Sequence, residues 1–176
     1  MVNEQARTIE ILQLAVQMEA DGKEFYQTAS RKSSNKLAKE LFRQLANEED
    51  VHRKKVEEIY KALKRGQNWP DLEPASEKGA KIKSLFSEAT KALGRKFRIA
   101  ESELEAIKTA IDMEIRSYNL YHSRSAESTL PIEKEFYKTL AGEERGHHLA
   151  LLDSYEYLSD PAGWFTKKEH WSLDGA

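Results

Sequence analysis

The sequence predicts an all-α protein: a four-helix bundle made of two antiparallel hairpins joined by a long crossover that contains a short helix. Three observations predict it. Apolar residues recur at spacings of three and four over four long segments, and no segment sustains the alternation of a strand. Pro70, Pro74, Pro131 and Pro161 all fall outside those periodic runs and punctuate the chain. The first and second segments are joined by a short link, as are the third and fourth, whereas residues 65–99 separate the second from the third.

Each element has its own stripe. The first helix is predicted over about residues 3–30, with Leu12, Ala15, Gly22 and Tyr26 on one face. The second spans about 34–64 and carries Leu45, Val56, Ile59 and Leu63. In the crossover, Ile82, Leu85, Phe86, Ala89 and Leu93 mark a shorter amphipathic helix. The third long helix, about 100–126, aligns Leu104, Ile107, Ile111, Tyr118 and Tyr121, and the fourth, about 131–158, aligns Phe136, Leu140, Leu151, Tyr155 and Leu158. The sequence Asp160-Pro161 then reads as a helix stop. The chain divides into a bundle over 1–160 and an aromatic tail over 161–176, whose Trp164, Phe165 and Trp171 are expected to dock on the bundle or on a neighbouring subunit.

Composition narrows the function. With 39% hydrophobic and 33% charged residues, the chain suits striped helices around a core rather than disorder. A net charge of −2 gives no reason to expect a nucleic-acid or membrane partner. No apolar run approaches the ~20 residues of a membrane span. The N-terminus lacks the basic start and cleavage site of a signal peptide, so a cytoplasmic location is expected. There is no cysteine, which excludes disulfides, thiol catalysis and Cys-ligated zinc or iron–sulfur centres on this chain.

The chain repeats itself at a shift of 95 residues. LANEEDVH at 45–52 lies over LAGEERGH at 140–147, and AVQMEADGKEFY at 15–26 lies over AIDMEIRSYNLY at 110–121. Each copy places a Glu on its first helix, Glu19 or Glu114, and a Glu-x-x-His on its second, Glu49/His52 or Glu144/His147. All six continue the apolar stripes of their helices, and residues three apart share a face, so each Glu-x-x-His addresses one point.

Four carboxylates buried without partners would cost several kcal/mol each or be forced to protonate. No Lys or Arg shares the seam near them. Two divalent cations would neutralise four carboxylates, with two imidazoles completing the shell, and mixed carboxylate and imidazole donors favour iron, manganese or zinc over calcium. One Glu from each of two helices with Glu-x-x-His from each of the other two matches the ligand set described for di-iron and di-manganese carboxylate bundles.

In QMEADGKEFY, ANEEDVH, DMEIRSYNLY and AGEERGHH, spread over all four long helices, the chain resembles the ferritin-like superfamily, most closely its rubrerythrin-like branch. The resemblance implies that Glu19, Glu49, His52, Glu114, Glu144 and His147 are metal ligands, with Glu49 and Glu144 bridging. It also implies that Tyr26 and Tyr121, two turns beyond Glu19 and Glu114, hydrogen-bond near the cluster. The chain departs from the rubrerythrin pattern twice: Ser117 stands where a further Glu is usual, and no cysteine is available for a rubredoxin domain. The symmetric six-ligand set looks more like that of bacterioferritin, and the electron donor must be a separate molecule.

The resulting expectation is an oxidoreductase with two iron ions, manganese or zinc being alternatives, that reacts with hydrogen peroxide or dioxygen as an oxidative-stress protein. A ferroxidase or iron-handling module is the alternative of a different class, followed by a di-manganese catalase-like protein or a hydroxylase. A homodimer is expected. Met18 and Met113 are expected as core filler, Glu48 and Glu143 as surface residues pointing off the seam, and His122, His148 and His170 as non-ligands. Gly22, Gly142 and Gly146 interrupt helices at ~1 kcal/mol each, which suggests close helix approach or space beside the metals.

Overall fold

The computed structural model describes residues 2–70, 79–94 and 99–173. The described residues form six helices: α1 Val2–Lys32, α2 Lys36–Lys64, α3 Gly79–Leu93, α4 Glu101–Glu127, α5 Pro131–Ser159 and α6 Pro161–Leu173. There is no strand among the described residues. α1 packs along α2 and α4 along α5, and the two hairpins face each other with the crossover helix α3 laid against α2 and α5. This is the predicted bundle. None of these helices is long and apolar enough to cross a membrane.

Local chemistry sets the boundaries. Asn35 caps α2, its side-chain oxygen accepting from the backbone N–H groups of Leu37 and Ala38 at 2.9 and 3.2 Å. α2 ends in a Schellman turn, with Gly66 N–H on Leu63 O and Gln67 N–H on Ala62 O. Gly66 takes φ +73° there, a conformation that a side chain would disfavour. Pro131 opens α5, where its missing N–H has no helical partner to lose.

The tail corrects one reading. The helix does stop at Asp160, but Pro161 is also the first residue of a new helix, and the Asp160 carboxylate accepts the N–H of Gly163 at 2.9 Å as its cap. Trp164 meets Tyr157 and Phe86 edge-on, with ring centroids 5.3 and 5.6 Å apart, and Phe165 packs on Tyr157. These two tail aromatics therefore dock on the chain's own bundle. The side chains of His170 and Trp171 lie outside the described residues.

Contacts at the two ends of the bundle fix how the hairpins face. At one end the Glu103 carboxylate, near the start of α4, accepts from the backbone of Ser34 at 2.7 Å and of Asn35 at 2.9 Å in the α1–α2 turn. At the other, Thr8 near the start of α1 donates to Glu133 at 3.2 Å, and Arg124 donates to Glu133 at 3.0 Å. α1 and α4 are thus antiparallel. Thr8 and Glu103 are themselves related by the 95-residue shift, so each hairpin's first helix ties down the other hairpin's turn.

The apolar core comes in two parts. One contains Tyr26, Phe42, Leu45, Ile107 and Tyr157; the other contains Leu12, Val56, Ile59, Tyr121, Tyr137 and Leu140. Between them lies a waist of buried polar residues.

Burial acts on the Glu103 carboxyl first and raises its pKa, but the N–H groups of Asn35, Ala100 and Ser34 together outweigh this and hold it below the usual carboxylate range. A lowered folded-state pKa gives stability that is present above the unfolded value and lost as pH falls through the folded one. Glu103→Gln is expected to lower the stability of the metal-free chain by about 1–3 kcal/mol near neutral pH. The gap to wild type should narrow as the pH is lowered below about 4.5. Urea unfolding at several pH values reads both, and a gap that widens in acid would contradict the account.

Candidate metal centre

The waist is built from four helices at matching heights. α1 supplies Glu19, α2 supplies Glu49 and His52, α4 supplies Glu114, and α5 supplies Glu144 and His147; each is at most 4% exposed. The structure brings all six together as the sequence predicts. They form two overlapping groups, Glu19/Glu49/His52/Glu144 and Glu49/Glu114/Glu144/His147, in each of which one donor atom per residue lies within 4.8 Å of all the others. Glu49 and Glu144 belong to both groups. His52 Nδ1 stands 3.6 Å from Glu19, 3.7 Å from Glu49 and 3.0 Å from Glu144. His147 Nδ1 stands 3.4 Å from Glu49, 3.4 Å from Glu114 and 3.8 Å from Glu144. The two imidazoles lie nearly parallel, 5.5 Å apart.

The surrounding hydrogen bonds cross between the halves. Tyr121 donates to Glu19 Oε1, and Tyr26 donates to Glu114 Oε1. Each tyrosine thus holds one oxygen of the other hairpin's first-helix carboxylate. The other oxygen, Oε2 in both residues, points into the waist without a hydrogen-bond partner.

Glu48 and Glu143 correct a prediction. Read as surface residues, they instead hold the outer nitrogens of the histidines, again crosswise. His147 Nε2 bonds Glu48 Oε2 at 2.9 Å, and His52 Nε2 contacts Glu143 Oε2 at 2.7 Å, off the alignment of a hydrogen bond. A residue one position before the seam is turned by ~100° about the helix axis. On α2 and α5 that direction leads toward the facing helix rather than toward water. The signal was in the repeat: both copies keep Glu at 48 and 143, while their neighbours at 47/142, 50/145 and 51/146 differ. A carboxylate on the outer nitrogen fixes the ring and turns Nδ1 toward the centre.

The glycines divide. A Cβ on Gly22 would meet the Glu49 side chain at 3.6 Å, an ordinary contact, so Gly22 does lie against the cluster. At Gly142 and Gly146 nothing lies within 4 Å of where a Cβ would sit, so neither marks a close helix approach. His148 lines an outer groove with Tyr118 and Arg145, and His122 stacks on Tyr118, both away from the cluster.

Electrostatics show what the waist lacks. Burial, then the charge of Glu49, pushes Glu19 up to about 8. Burial and the charges of Glu49, Glu114 and Glu19 push Glu144 well above the usual carboxylate range. Burial works against the charged imidazoles, yet contacts with the surrounding carboxylates hold His52 and His147 well above the usual range. The cluster therefore attracts positive charge, whether as protons or as metal ions. Among the buried side-chain atoms that make no hydrogen bond are six that face one another in the waist: Glu19 Oε2, Glu49 Oε1, His52 Nδ1, Glu114 Oε2, Glu144 Oε1 and His147 Nδ1. There is one from each residue, every one a metal-donor type. The donor set fits a pair of metal ions.

Fold and site together define a ferritin-like helical bundle with a buried Glu/His cluster that fits a metal site. Residues 10–156 match the rubrerythrin family, to which the chain belongs. A solved structure of a hypothetical protein from Pyrococcus furiosus shares the fold, with a TM-score of 0.62 and 23% identity over 86% of this chain and 89% of that one. No curated protein matches the chain.

Glu144→Gln removes one of the four crowded carboxylates while keeping its shape. The metal-free variant is expected to be more stable than metal-free wild type by about 1–3 kcal/mol, or roughly 2–4 °C in Tm per kcal/mol. Calorimetry on chelator-treated protein measures this, and a lower Tm in the variant would mean that the carboxylate is satisfied without metal.

Proposed function

We propose that the waist holds two iron ions and that the chain is an oxidoreductase reducing hydrogen peroxide or dioxygen with electrons from a separate donor. The observation that carries this reading is the set of six unpartnered buried donor atoms, one from each of Glu19, Glu49, His52, Glu114, Glu144 and His147. Glu19 and His52 would serve one ion, and Glu114 and His147 the other. Glu49 and Glu144, common to both groups, would bridge them. Bound iron would supply the Lewis acidity and the reaction with peroxide or dioxygen that side chains alone do not offer.

The chain's own residues do the rest. The apolar layers above and below exclude bulk water, so charges in the waist interact strongly. Tyr26 and Tyr121 fix the rotation of Glu114 and Glu19 and keep a proton on the phenol oxygen, since burial and then those carboxylates hold both hydroxyls well above the usual tyrosine range. Glu48 and Glu143 hold the imidazoles so that Nδ1 faces the cluster. No cysteine is present among these residues for a thiolate-held redox centre, so in this reading reducing equivalents would reach the waist from outside the bundle.

The protein is expected to retain two metal ions per chain after anaerobic reloading with Fe(II), measured by metal mass spectrometry, and to consume peroxide over many turnovers with the metal retained. Glu49→Ala or Glu144→Ala should lose both ions, because each removes a shared ligand. A chain that accumulates or exchanges iron instead of turning over is an iron-handling module, and one that binds none refutes the centre. Glu48→Gln, which leaves all six donors in place, is expected to weaken metal binding by about 10–100-fold in a chelator competition. Unchanged affinity would show that its bond to His147 does not orient the ring.

A further inference from the structure

We propose that Tyr121, Tyr137 and Trp69 form a one-electron path between the metal centre and the surface, and that it runs on one side of the bundle only. The proposal rests on the metal-centre reading above. Tyr121 donates its hydroxyl to Glu19 and stacks on Tyr137, with centroids 6.0 Å apart and planes 20° apart. Tyr137 meets Trp69 edge-on at 6.4 Å. Trp69 follows the end of α2 and is partly exposed, so the three rings connect the buried cluster to the outside without a gap wider than ring contact.

The repeat supplies an internal control. At the 95-residue shift Tyr121 corresponds to Tyr26, Tyr137 to Phe42 and Trp69 to Trp164. Tyr26 stacks on Phe42 at 6.0 Å as Tyr121 stacks on Tyr137. Packing at this position is therefore met by a phenyl ring. The hydroxyl of Tyr137 is buried, makes no hydrogen bond of good geometry and has only the Arg124 guanidinium beside it, so it adds a desolvated polar group that Phe42 shows the packing does not need. What separates the two is redox chemistry: a phenol or an indole yields an electron far more readily than a phenyl ring. Arg124 lies over Tyr137, 5.9 Å from its centroid, but its charge is matched by Glu133 and Glu127 at 3.0 and 3.1 Å.

The step balances as follows. Reduction of one hydrogen peroxide to two waters at the centre takes two electrons and two protons; the path is used twice, one electron at each pass, and the two protons come from solvent. An electron drawn from Tyr121 leaves a phenoxyl, with the hydroxyl proton passed along its hydrogen bond to Glu19. An electron from Trp69, crossing the Tyr137 ring, and the returning proton restore the phenol. Tyr137 keeps its own proton, having no acceptor for it, and so acts as a bridge rather than a resting place. The oxidised indole of Trp69 is re-reduced by a one-electron donor protein of the flavin or iron–sulfur class.

The test is where oxidation lands when that donor is withheld. Protein loaded with Fe(II), its metal content measured first, is given hydrogen peroxide and mapped by peptide mass spectrometry. Oxygen-addition products are expected at Trp69 well above Trp164, together with a tryptophan radical in freeze-quench spin resonance. Tyr137→Phe, whose shape Phe42 shows to be tolerated, should reduce Trp69 oxidation to the level of the metal-free control with metal content unchanged. Trp164→Phe, which lies on the other side of the repeat and packs on Phe86 and Tyr157 rather than on the cluster, should leave Trp69 oxidation as in wild type. Trp69 oxidised equally in wild type, Tyr137→Phe and metal-free protein would overturn the path, because peroxide in solution would then be the agent. Metal absent after loading overturns the underlying centre instead, and is seen before any peroxide is added.

Discussion

Four carboxylates and two imidazoles sit where a helical bundle would ordinarily place apolar side chains, and the rest of the structure is arranged around that fact. An unpaired buried charge costs more than a single domain can bear several times over. Here the acids are gathered rather than scattered, so that one source of positive charge serves all of them. Protons can do this partly, as the raised pKa of Glu19 and Glu144 shows. They cannot occupy all six donor atoms left without partners.

The apolar layers on either side make this arrangement possible. Each is built from both hairpins, so neither hairpin can move without exposing part of both layers. Hydrogen bonds follow the same rule. Tyr26 to Glu114, Tyr121 to Glu19, Glu48 to His147, and Glu103 to the α1–α2 turn all run from one hairpin to the other. The donor atoms are thus positioned by the opposite half of the molecule, which makes their geometry a property of the assembled bundle rather than of any single helix.

Much of this was legible in the sequence. The helix spacings and the duplicated Glu-x-x-His placed six side chains on one seam, and they meet there. The partners of those six were harder to read. Glu48 and Glu143 sit one position off the seam, and a helical wheel alone does not say whether that direction faces water or another helix. Only the packing of α2 against α5 decides it. The capping role of Glu103 had no signal, because its partners are backbone N–H groups of a turn 68 and 69 residues away. Asp160-Pro161 stops one helix and starts the next, since the residue chemistry that ends a helix also suits a first turn. At Gly142 and Gly146 the cost to the helix is plain, and of the two reasons it suggested the structure removes close helix approach, since nothing lies within 4 Å of a Cβ at either.

The exchange of contacts between the halves has one more consequence. Two identical hairpins, brought together about a two-fold axis, could make every one of these crosswise bonds and assemble the same cluster. The present chain amounts to such a pair fused through residues 65–99. Fusion removes a restriction that identical subunits cannot escape: a change in one copy no longer appears in the other. Asn47 against Gly142, Asp50 against Arg145 and Phe42 against Tyr137 are differences that only a fused pair can hold. The centre keeps its inherited symmetry while its surroundings are free to give each side separate work.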